Sequence, residues 1–172
     1  TAFLNFHITS LLMDAGENNI WVYHLYVPIM FTLVSRIYRR PLSSFIDVRY
    51  FNILTVCVYV FSVINILFFQ DIKTLNSYAV SITSFIYIVY ALGYFYKIII
   101  EGDADYEKPI HMVWFNTGIL LYYASTFVLF LLVDNIIQSD SEILIAAWVL
   151  NIVFNLVLII CYTASLWINP RT

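Results

Sequence analysis

Five long apolar blocks fill most of the 172-residue chain, at about 20–38, 48–69, 77–100, 110–133 and 143–168, with short polar stretches between them. Each is near the roughly 20 residues that a helix needs to cross about 30 Å of hydrocarbon. Only 11% of the residues are charged and 62% are hydrophobic, whereas a water-soluble domain carries about 25% charged residues. A small soluble domain leaves too much of its surface exposed to hide so many apolar side chains. The spacing therefore predicts an all-α fold, a polytopic transmembrane helical bundle of five spans. In lipid a spanning segment must satisfy its own backbone, which forces helices. Barrel strands alternate over about ten residues, and these blocks do not. Residues 1–13 are apolar but too short to span, and they lack a basic leader. They read as a short or truncated N-terminal helix. The connecting loops are too short to form a separate domain, so 1–172 reads as a single transmembrane domain.

The basic residues give the bundle a direction. Arg36, Arg39, Arg40 and Arg49 flank the first loop, Lys97 and Lys108 the third, and Arg171 follows the last span. The alternate loops hold Lys73 alone. Basic residues collect on the cytoplasmic side, so the arginine loop, the 101–108 loop and the C-terminus are expected in the cytoplasm. The loops at 14–19, 71–76 and 134–142 are then expected outside. The expected location is a cell membrane, crossed several times. No basic run suggests nucleic acid as a partner.

The chemistry that the sequence lacks is informative. No Asp, Glu, Lys or Arg sits deep in a span, where proton relays and ion pathways place them. Transporters commonly break helices with Gly or Pro at mid-membrane. Here Gly93, Gly118 and Pro28 are the residues of that kind within spans. His7, His24 and His111 form no evident haem pair, and the acidic 101–107 loop lacks the Gly and terminal Glu positions of an EF-hand. Cys57 and Cys161 show no metal-binding spacing and read as small apolar fillers. No nucleophile–base pair can be assembled. The chain is accordingly expected to be no enzyme and to need no cofactor or metal.

Polar residues remain at outer or central depth. Asn151 and Asn155 are four apart and share a helix face. With His24, Tyr26 and Asn65, and with Ser81, Ser84, Ser125 and Thr126, they compose a candidate polar layer. One reading makes the layer interhelical glue, at about 0.6 kcal/mol per bond. The other makes it a small-ligand site lined by His24, Tyr26, Asn65, Asn151 and Asn155.

The fourth block opens on Pro109, which suits a first helical turn, and Gly118 would let a neighbouring helix approach. Its pattern, Trp114-Phe-x-x-Gly118-x-x-x-Tyr122 followed by Phe127-x-x-Phe130, resembles the membrane-embedded N-terminal sensory region of bacterial sensor histidine kinases and of related multi-pass proteins. Asn18-Asn-x-Trp21-x-x-His24-x-Tyr26 fits the same resemblance. It implies signal sensing in a bacterial inner membrane, with output to a cytoplasmic kinase. This chain carries no phosphoacceptor or ATP-binding part, so no catalytic residue is implied. A sensory or signalling module is the leading expectation. The alternatives are a non-catalytic subunit that anchors a larger complex, and a small transporter. The expected partners are the lipid bilayer and other membrane or cytoplasmic proteins, a second copy of the chain among them.

Overall fold

The computed structural model describes residues 20–101, 110–139 and 141–168; for 101, 134–139 and 141 the description is of backbone alone. The expected helix at 1–13, the loop at 102–108 and the end at Arg171 lie outside the described residues. Five helices follow in order: α1 (Trp21–Arg39), α2 (Val48–Phe68), α3 (Ser77–Glu101), α4 (Ile110–Ser139) and α5 (Ser141–Ile168). Among the described residues there is no strand. Four helices are long and apolar enough to cross a membrane, within Val48–Phe68, Ser77–Ile100, Ile110–Val133 and Glu142–Ile168. α1 has 19 residues but carries His24, Pro28, Arg36 and Arg39 among them, which lowers its hydropathy.

α4 runs on through Ser139, although its polar segment from Asp134 reads as a loop. Asp134-Asn-Ile-Ile-Gln-Ser139 contains neither Gly nor Pro. Without a breaker, the backbone ladder continues past the apolar stretch.

Buried polar side chains and exposed large apolar ones are both common, unlike in a soluble protein. His24, Asn65, Asn76, Asn116 and Asn151 are buried, whereas large apolar side chains such as Leu67, Phe68, Ile99 and Leu166 are exposed. Hydrocarbon is the solvent that such a surface suits. Hydroxyl groups on the helices follow the same rule. Thr32, Thr55, Ser62, Thr83, Thr117 and Thr163 each donate to the carbonyl four residues back, so that each satisfies its proton within its own helix.

The chain divides into two compact units, one ending at Thr83 and one beginning at Ser84. In the first unit α1 packs on α2. The buried residues of α1 (His24, Val27, Pro28, Phe31, Val34, Ser35 and Tyr38) recur every three or four positions. They form one face of the helix. The buried stripe of α2 is Phe51, Val58, Ser62 and Asn65. Asp47 starts α2, accepting the Arg49 N–H at 2.8 Å as a side-chain N-cap.

In the second unit α4 and α5 form an antiparallel pair. Phe115 stacks on Tyr162 at 4.9 Å, and Phe130 meets Trp148 edge-on at 5.6 Å. Between them lies Gly118, where a Cβ would sit 2.8 Å from Cys161 Cβ and 3.2 Å from Leu158 Cδ1. Phe115, Gly118 and Phe130 therefore mark the seam with α5. Tyr87 of α3 also packs on Tyr123 of α4 at 4.3 Å. Cys57 and Cys161 are both free thiols.

Gly118→Ala should destabilise the α4–α5 pair by about 1–3 kcal/mol, the usual penalty of overpacking. Thermal unfolding in detergent, followed by tryptophan fluorescence, checks this. An unchanged or raised Tm would show that the close approach does not matter.

Candidate polar network

A polar cluster in the first unit gathers where α2 ends. The carbonyl of Asn65 closes that helix, accepting from Phe69 N at 3.0 Å and Gln70 N at 2.8 Å. Its side chain is fully buried and points its amide to two acceptors, Gln70 Oε1 and Asn76 Oδ1, each at 3.0 Å. Gln70 extends the chain of contacts by donating Nε2–H to Ser77 Oγ and accepting from Tyr78 N. The start of α3 is thereby tied to the end of α2.

The loop between them is itself ordered by local bonds. Asp71 Oδ1 accepts from Lys73 N, and Asp71 O accepts from Thr74 N and Thr74 Oγ1. This leaves Thr74 O directed at α1, where His24 Nε2 reaches it at 3.1 Å. A carbonyl only accepts, so Nε2 carries the proton. In the neutral imidazole Nδ1 is then an acceptor. His24 is buried because it lies on the same face of α1 as Phe31 and Tyr38.

Around this loop, four buried atoms have no hydrogen-bond partner: His24 Nδ1, Asn65 Oδ1, Asn76 Nδ2 and Ser81 Oγ. With a neutral imidazole they comprise two acceptors, an amide donor and a hydroxyl. Leaving such groups unpaired away from water costs about 1–3 kcal/mol each. Their complement is a neutral molecule with hydroxyl or amide groups, or water.

The sequence candidates divide between the two units. His24 and Asn65 meet the same loop in the first unit. Tyr26 is half-buried on α1, its ring 6.5 Å from Tyr23. In the second unit Asn151 is buried and donates to Thr126 Oγ1 at 2.9 Å, an interhelical bond between α5 and α4. Asn155 is half-buried one turn further along α5.

Gln70, Thr74 and Asn76 were not expected in the network, because they belong to a stretch read as a solvated outer loop. The usable signal was Asn76 immediately before a helix, a capping position that such residues favour. Asn116 was hidden inside the motif-like stretch of α4. It is fully buried and donates to Ala91 O at 3.0 Å.

Among the described residues no three His, Cys, Asp or Glu side chains are grouped to hold a metal ion. No protein-family model, curated protein or solved structure matches the chain.

Asn65→Leu removes two hydrogen bonds and strands Asn76 Oδ1 in a buried place. At about 0.6 kcal/mol per bond in membranes, a loss of roughly 1 kcal/mol is expected. Backbone amides at 70–78 should exchange with deuterium faster than in the unaltered protein. Unchanged protection there would show that the network does not hold the loop.

Proposed function

We propose that this protein is a multi-pass membrane sensory or signalling module with no catalytic centre of its own. In this reading it crosses the bilayer five times, with α1 as the first span. Four helices already have spanning length and hydropathy. α1 adds 19 residues that end on Arg36 and Arg39, the basic residues expected at a cytoplasmic end. The distribution of basic residues over the loops supports a cytoplasmic C-terminus.

The observation that carries the sensory reading is the network at the α2–α3 loop. It joins three helices and holds uncharged, unpartnered polar atoms at the end of the unit away from the arginines. A small neutral ligand that paired those atoms would change how the loop holds α1 against α2 and α3. That change is a differential interaction of the kind that shifts a conformational equilibrium. The resemblance of Trp114, Gly118 and Tyr122 to sensor-kinase membrane regions supports the same reading. Phe115 and Gly118 are seam residues between α4 and α5, so helix packing accounts for part of that pattern.

A fusion of the chain, through its C-terminus, to a kinase output domain tests the proposal. His24→Ala and Asn65→Ala should each shift reporter output several-fold at equal membrane level. Leu25→Ala, on the exposed face of α1, should leave it unchanged. Output that is identical across all of these and a scrambled-span control would overturn the reading.

A further inference from the structure

At the opposite end of the first unit, α1 and α2 enclose a partly open cleft of about 230 Å³ lined by Thr32, Ser35, Arg36, Arg39, Asn52 and Thr55, with Phe51 and Val56. A water's share of liquid volume is about 30 Å³, so the space holds several waters' worth of atoms, enough for a phosphate group. The lining includes two arginines, Arg36 and Arg39. Arg39 donates one of its terminal N–H groups to Asn52 Oδ1 at 3.0 Å. Its Nε is buried and has no hydrogen-bond partner. This group is charged at any physiological pH, and an unpaired buried donor on a charged group is costly.

The remaining lining chemistry sharpens what could answer that charge. Thr55 and Thr32 spend their protons on the carbonyls of Phe51 and Pro28. With Asn52 Oδ1 held by Arg39, the Asn52 amide is left as a donor. The lining therefore offers the Arg39 guanidinium and the Asn52 amide as donors, with Arg36 beside them. The carboxylates of the described first unit are Asp47 and Asp71. Asp47 caps α2 through Arg49 N, and Asp71 lies in the loop at the far end of α2. Neither lines the cleft.

We infer that this cleft binds the phosphate of an anionic phospholipid headgroup. Guanidinium forks match phosphate oxygens in pairs, and basic pockets between membrane helices hold acidic headgroups. The location favours a lipid over a soluble anion. Asn52 and Thr55 lie in the first two turns of α2, a helix of spanning length, so the cleft sits where acyl chains begin. The exposed Ile53, Val56 and Val60 of α2 are available to those chains. The inference stands on α1 and α2 alone and does not depend on the sensory reading.

Native mass spectrometry of the full chain in detergent tests it, with phosphatidylglycerol or phosphatidylcholine added in turn. Phosphatidylglycerol should be retained as a single tight adduct at concentrations where phosphatidylcholine is not. Arg36→Gln and Arg39→Gln should each weaken that adduct about tenfold, roughly what 1.4 kcal/mol gives. Arg40→Gln and Arg49→Gln, outside the lining, should retain it. Equal retention of the two lipids in the unaltered protein would overturn the proposal without recourse to a variant. Equal losses for all four arginine variants would overturn it too, by showing diffuse attraction. Displacement of the lipid by inorganic phosphate would reassign the cleft to a soluble anion and overturn the lipid assignment.

Discussion

An amide or imidazole carried into hydrocarbon has no water to fall back on, so it must find its partner within the protein. The described helices are organised by that requirement. Asn65 reaches Gln70 and Asn76, His24 reaches Thr74, Asn116 reaches Ala91 and Asn151 reaches Thr126. Each bond links segments that are separate in sequence or closes a helix end. Many large apolar side chains face outward, where the hydrophobic effect gives them no reason to cluster. Packing between helices then rests on close fit, which is why Gly118 lies against Cys161 and why aromatic rings pair along α4 and α5.

The two ends of the first unit have opposite chemical character. One end is knitted by side-chain amides, with a histidine drawn onto the loop. The other carries Arg36, Arg39, Arg40 and Arg49 around the α1–α2 turn. A neutral network with unpartnered donors and acceptors suits recognition of small polar molecules. A guanidinium cleft suits phosphate. In the proposed reading, the same pair of helices joins a site for a signal to a site that holds the protein at the membrane surface.

Much of the helical layout was legible because lipid imposes a length. The ends of α1, α2 and α3 fall within a residue of the apolar blocks that announce them. The end of α4 was not legible in the same way. Hydropathy reports where the apolar stretch stops, whereas the helix stops where the backbone is broken, and nothing in Asp134–Ser139 breaks it. The polar network was legible only in part, for a related reason. Depth along a span pointed to His24 and Asn65, but depth carries no information about which loop folds back onto them. Gln70, Thr74 and Asn76 became partners through tertiary contacts. Asn151 was placed with them by depth, yet its partner is Thr126 on the neighbouring helix of its own unit.

In the proposed orientation α2 crosses the bilayer with its arginine end inside. Thiol labelling with a membrane-impermeant reagent tests this directly, using single cysteines introduced by Ser44→Cys and Lys73→Cys in a chain also carrying Cys57→Ala and Cys161→Ala. Both positions are exposed and they flank α2. In intact cells Lys73→Cys should label and Ser44→Cys should not, with Ser44→Cys labelling only after permeabilisation. Labelling of both positions in intact cells, or the reverse pattern, would contradict the account.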